Sequence, residues 1–161
     1  MRIQMAGVNS SRAPIEVRER FSFLKSEIVN SLKNLKKENG VEGALILSTC
    51  NRTELWLSTT HDYKESVAKV LCSLHGLSLE EYQKYLIVRE EDEAIKHLFY
   101  TTAGLNSQII GEDQILTQVR EALDLSRLNY CSDSVLEVLF RMAVTSWKKC
   151  KTQVNLPVTD M

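Results

Sequence analysis

Apolar positions fall into two rhythms along this chain. Residues 3–8 form a short apolar run, broken after Val8 by Asn9-Ser10-Ser11, which predicts a strand. Pro14 suits a first helical turn, and Val17, Phe21, Leu24, Ile28, Leu32 and Leu35 then recur at three and four residues. That spacing predicts one long helix, stopped by Asn39-Gly40. The runs 44–47 and 55–57 predict two strands joined by the polar segment 48–53, a hairpin whose loop carries polar side chains. Asp62 and Glu65 open a helix with Val67, Val70, Leu71 and Leu74 inward, Ser78-Leu79-Glu80-Glu81 has the form of a capping box, and residues 85–88 predict a further strand.

The order so far, β-α-β-β-α-β, is that of a ferredoxin-like split βαβ sandwich over residues 1–90. Residues 91–161 read as a helical subdomain. Ala94, Ile95, Leu98, Phe99 and Thr102 make one stripe; a second helix over 112–129 turns Ile115, Val119, Ala122 and Leu123 inward. A third, over 133–153, turns Leu136, Leu139, Phe140, Ala143 and Trp147 inward, and residues 155–161 read as a linker or tail. The expected fold class is α+β: a ferredoxin-like βαββαβ sandwich followed by helices.

Composition narrows the functional classes. With 20 basic and 21 acidic residues the net charge is −1, which excludes a polycation that grips nucleic acid by bulk charge. Six glycines and two prolines exclude collagen-like and low-complexity readings. Cys50, Cys72, Cys131 and Cys150 form no C-x-x-C pair and have no histidine at ligand spacing, so neither zinc nor any other metal is expected. No apolar stretch approaches the roughly 18 residues of a spanning helix, and the first residues lack a signal-peptide core. A cytoplasmic protein without membrane association is expected.

The chemically informative stretch is Ser48-Thr49-Cys50-Asn51-Arg52-Thr53-Glu54. Thiolate is the reactive form of cysteine, and a cation two residues away favours it. Arg52 can supply that charge or bind a carboxylate substrate with its planar fork of donors, and Glu54 can hold Arg52 in place. The plainer alternative is an inert turn cysteine beside a surface ion pair. His97 is the candidate base or proton donor, or else a packing residue of an apolar helix. His61 and His75, in charged turn-like sequence, read as exposed. The segment 104–115 is bracketed by Gly104 and Gly111 and supplies Ser107, Glu112 and Gln114; it contains no phosphate-cradling glycine motif.

These motifs together resemble the glutamyl-tRNA reductase family. Residues 48–54 resemble its active-cysteine signature, residues 97–120 (HLFYTTAGLNSQIIGEDQILTQVR) its long second signature, and Gly7-Val8-Asn9 with Ala13-Pro14 and Arg18-Glu19 its opening block. The sequence departs from the family pattern at Ser10-Ser11-Arg12, Asn106 and Asp113 and in the stretch 151–154. The resemblance implies an NADPH-dependent oxidoreductase that reduces tRNA-bound glutamate to glutamate-1-semialdehyde in tetrapyrrole (porphyrin, heme) biosynthesis. It implies Cys50 as the nucleophile that forms a glutamyl thioester, with His97 as base, acid or orienter. Thr49, Asn51, Arg52, Ser107, Glu112, Gln114 and Arg120 are implied substrate-binding residues. It further implies glutamyl-tRNA(Glu) as substrate and glutamate-1-semialdehyde aminomutase as the downstream partner. The family's dinucleotide-binding and dimerisation domains have no counterpart here. NADPH is therefore not expected to bind these residues, and a monomeric piece of a homodimeric enzyme is expected. The contrasting reading is a non-catalytic tRNA-binding or regulatory module of the same fold.

Overall fold

A computed structural model describes residues 1–103 and 114–159, with the backbone alone for 147–159. The elements run β1 (Arg2–Asn9), α1 (Ile15–Phe21), α2 (Lys25–Lys36), β2 (Val41–Ser48), β3 (Arg52–Thr59), α3 (Val67–Leu74) and α4 (Leu79–Tyr82), then a 3₁₀ turn at Gln83–Tyr85. They continue with β4 (Ile87–Glu90), α5 (Glu91–Thr102), α6 (Gln114–Leu128) and α7 (Ser134–Thr159). The strands form one antiparallel sheet in the order β2-β3-β1-β4. The fold is thus mixed helix and strand around a four-stranded antiparallel sheet.

Side chains alternate across each strand, and both faces of the sheet are covered. Ala6, Val8, Ala44, Ile46, Leu55 and Leu57 pack with α1, α2 and α3 on one face. Ile3, Met5, Leu45, Leu47 and Trp56 pack with α5, α6 and α7 on the other. Every residue of β3 is therefore buried, so a charged residue on this strand must find its partner inside the protein.

Three helical expectations are corrected. The single helix over 14–35 is two, because the chain is extended at Ser22 and Leu24. There the Phe23 amide donates to Ser48 Oγ at 3.1 Å and the Leu24 amide to Glu27 Oε1 at 2.7 Å, replacing the helical carbonyls. Leu24, in register with the apolar stripe, is 71% exposed. The capping-box pattern at Ser78 starts only a one-turn helix, and its side chain makes no cap bond. Finally, α7 runs through the predicted linker to Thr159, past Pro157, whose ring nitrogen offers no donor to the turn before it. The last strand is also shifted to Ile87–Glu90, since residues 83–85 wind into the 3₁₀ turn.

The edge strand β2 is tied to the helices through its backbone. The Ala44 amide donates to the Cys131 carbonyl at 2.8 Å, and Ser126 Oγ donates to the Ala44 carbonyl at 2.6 Å. Gly43 allows this approach. A Cβ there would lie 2.6 Å from Asp133 Oδ1 and 2.9 Å from the Asp133 backbone nitrogen. Asp133 caps α7 by accepting from the Leu136 amide at 2.9 Å, so it cannot retreat freely. Gly43→Ala is expected to lower stability by about 1–3 kcal/mol, read as a shift in denaturant midpoint; an unchanged midpoint would show that α7 yields without cost.

Candidate active site

The β2–β3 turn is built to hold residue 50 at its apex. The Thr49 amide donates to the Arg52 carbonyl at 2.8 Å, and Thr49 Oγ1 accepts from the Asn51 and Arg52 amides at 3.1 and 3.2 Å. A short hydroxyl side chain that closes its own turn is a recurrent device of such loops. Below it, Ser48 Oγ lies 3.3 Å from Thr53 Oγ1. Cys50 is exposed. Its carbonyl accepts from Arg18 Nη1 at 3.1 Å, while Arg18 Nε donates to the Ala13 carbonyl at 3.2 Å.

Arg52, Glu54 and Trp56 alternate on the face of β3 that meets α5, and α5 presents His97 and Thr101 one turn apart. Glu54 is the hub. Its Oε2 lies 2.7 Å from His97 Nε2 and 3.5 Å from Arg52 Nη1, and its Oε1 accepts from Trp56 Nε1 at 3.0 Å. Arg52 Nη1 also donates to Thr101 Oγ1 at 3.3 Å, and that hydroxyl lies 3.4 Å from His97 Nε2. Burial pushes the Glu54 carboxyl up. The hydrogen bond and charge of His97, the charge of Arg52 and the Trp56 hydrogen bond outweigh it and hold Glu54 below the ordinary carboxylate range. A carboxylate only accepts, so His97 Nε2 donates in the shared bond.

Gly7 makes room for this hub. It stands opposite Glu54 in the β1–β3 register, and a Cβ on it would lie 2.5 Å from the Thr53 carbonyl oxygen and 3.0 Å from Glu54 Cγ. Only glycine lets the two strands close with a carboxylate between them and α5.

The structure thus sorts the residues singled out in the sequence. Thr49, Cys50 and Asn51 form the turn, and Arg52 turns inward to Glu54 and Thr101. His97 joins the same buried network. Gln114 and Arg120 are exposed on α6, while Ser107 and Glu112 lie outside the described residues. Among the other histidines, His61 is exposed, but His75 is half buried against Phe23, with ring centroids 4.2 Å apart. Sequence reasoning did not pick out Trp56, Thr101, Ser48 or Arg18 as site residues. The four-residue spacing of His97 and Thr101 was a usable signal for one of them; Arg18 stood in the opening block that resembles the family, but nothing local pointed to its contact with Cys50. No cluster of metal-ligating side chains occurs among the described residues.

Fold and site define an α+β domain that presents an exposed thiol at one end of its sheet, above a buried carboxylate–imidazole–guanidinium network. Comparison with known proteins gives its family. The family model for the glutamyl-tRNAGlu reductase N-terminal domain matches residues 6–154. The glutamyl-tRNA reductase of Acetivibrio thermocellus is 45% identical over 160 residues, covering 99% of this chain and 48% of that protein. That of Alkaliphilus oremlandii is 44% identical over 156 residues, covering 97% and 47%. The solved structure of glutamyl-tRNA reductase from Methanopyrus kandleri superposes with a TM-score of 0.76 at 26% identity, over 94% of this chain and 34% of that one. The chain belongs to the glutamyl-tRNA reductase family, in which it corresponds to the N-terminal domain. It spans about half the length of the first curated relatives it matches.

Proposed function

We propose that this chain is the thioester-forming catalytic domain of a glutamyl-tRNA reductase. The observation that carries the reading is the exposed Cys50 at the tip of a turn whose next strand leads into the Arg52–Glu54–His97 network. In this reading the Cys50 thiolate attacks the ester carbonyl of glutamyl-tRNA. A carbon–sulfur bond forms, the bond to the terminal ribose oxygen breaks, and the ribose hydroxyl leaves with the proton that the thiol gave up. Glu54 holds His97 through Nε2, and His97 serves as base, acid or orienter of the site. Arg52 binds the substrate carboxylate; Thr49 and Asn51 shape the turn; Ser107, Glu112, Gln114 and Arg120 complete the glutamate pocket.

Reduction of the thioester to glutamate-1-semialdehyde requires hydride, which NADPH supplies when bound. The described residues do not fit that cofactor. All neighbouring strands are antiparallel, and β4 passes into α5 through Glu90 and Glu91 rather than through a glycine-rich turn. No reduction step is therefore assigned to this chain. The strand order β2-β3-β1-β4, with helices between β1 and β2 and between β3 and β4, supports a ferredoxin-like sandwich over 1–90. Residues 91–161 then form the helical part that closes the pocket. The same reading makes the chain a cytoplasmic, monomeric piece of a homodimeric enzyme whose product passes to glutamate-1-semialdehyde aminomutase.

The test mixes the chain with glutamyl-tRNA carrying labelled glutamate, followed by an acid quench. Label is expected on the wild type, released by hydroxylamine and absent from Cys50→Ser. A wild type that retains tRNA yet takes up no label would favour a non-catalytic tRNA-binding module.

A further inference from the structure

We propose that Arg18 is a positioning residue for Cys50, aiming the thiol by holding its peptide carbonyl. The inference rests on the reading of Cys50 as nucleophile and adds a residue outside the turn to it. The turn's own hydrogen bonds join Thr49 to Asn51 and Arg52, and they leave the Cys50 carbonyl to a donor from elsewhere. That donor is Arg18, 32 residues away on α1, through Nη1 at 3.1 Å. The same guanidinium donates from Nε to the buried Ala13's carbonyl at 3.2 Å. A planar guanidinium held at two carbonyls cannot swing, so it transmits the position of its helix. Helix α1 is in turn anchored by Val17 and Phe21 in the core that covers one face of the sheet. Arg52, the nearest cation in sequence, turns inward to Glu54 and Thr101. The cation hydrogen-bonded to the Cys50 peptide is Arg18.

A group that aims a nucleophile affects attack on a large oriented substrate more than attack by a small free reagent. Misplacement of about 1 Å costs on the order of 100-fold in such reactions. The experiment compares acylation of Cys50 by labelled glutamyl-tRNA in single turnover with its alkylation by iodoacetamide, followed on the Cys50 peptide by mass spectrometry. Wild type, Arg18→Ala and Arg18→Lys are measured side by side. Acylation is expected to slow about 10- to 100-fold in both variants, with alkylation within about twofold of wild type. Lysine keeps the charge but is one point donor, so it should not restore the rate. It also keeps the aliphatic stem, so a folding defect in the alanine variant leaves this comparison standing. Unchanged acylation, full rescue by lysine, or alkylation falling in step with acylation would each overturn the proposal. No acylation of the wild type would remove the nucleophile reading and this inference with it; equal acylation of all three proteins removes this inference alone.

Discussion

Replacing Glu54 by alanine is expected to lower the stability of this protein by about 3–5 kcal/mol, because it leaves a buried charge without its partner. The Arg52 side chain is 6% exposed and has an anion only in Glu54 among the ion pairs of the described residues. His97 and Trp56 lose an acceptor in the same step. For a chain of this size a loss of that magnitude lowers the unfolding midpoint by roughly 6–20 °C. Glu54→Gln, which keeps the shape and one acceptor, should fall in between. The pH dependence has a definite sign. A carboxyl held below its ordinary range in the folded state favours folding above the unfolded value, about 4.3 for glutamate, and that contribution fades as pH falls through the lower folded value. Stability measured from pH 7 downward should therefore decline below about pH 4.3, and less steeply in Glu54→Gln. A Glu54→Ala protein as stable as wild type would mean that the network is solvated rather than buried.

Trp56→Ala is the second large effect, at about 3–5 kcal/mol for a buried aromatic truncated to a methyl group. Trp56 has no exposed surface and meets Phe140 edge to face, with ring centroids 5.3 Å apart, so its removal opens the core between β3 and α7. It also deprives Glu54 of a hydrogen bond. Trp56→Phe separates the two roles, since it retains most of the packing and loses only the indole donor. A cost near 1 kcal/mol is expected for the lost hydrogen bond alone. Because the two side chains touch, the double variant Glu54→Ala, Trp56→Ala should be less destabilised than the sum of its parts. Strict additivity, measured by denaturant unfolding, would argue that they act independently.

Where periodicity and burial agree, the elements could be read from the chain. Ala44 to Leu47, Leu55 to Leu57 and the Ala94, Leu98 stripe lie in elements whose apolar faces meet a core. Leu24 shows how the pattern misleads. It continues the spacing of Phe21 and Ile28, yet the break depends on a hydroxyl at Ser48 that accepts the Phe23 amide. That contact joins residues 25 positions apart, and no local window contains both. The site divides in the same way. Alternation along β3 puts Arg52, Glu54 and Trp56 on one face, and turn chemistry puts Thr49 and Cys50 at its end. Whether that face meets solvent or α5 is a tertiary fact, and it decides whether Arg52 is a surface cation or half of a buried pair. The same limit applies to Arg18, whose partner carbonyl is brought to it only when α1 docks.

The place of β1 in the sheet has a consequence for how the chain is made. It is a central strand, yet its partners β3 and β4 follow only at residues 52–59 and 87–90. At ribosomal rates of about 5–20 residues per second, on the order of 10 s pass between synthesis of β1 and of β4. Until β3 is made, Ile3, Met5 and Val8, destined for the two cores, have no strand to pair beside, and one edge of β1 stays open until β4 follows. The four-stranded sheet therefore cannot be completed until more than half of these residues have been translated.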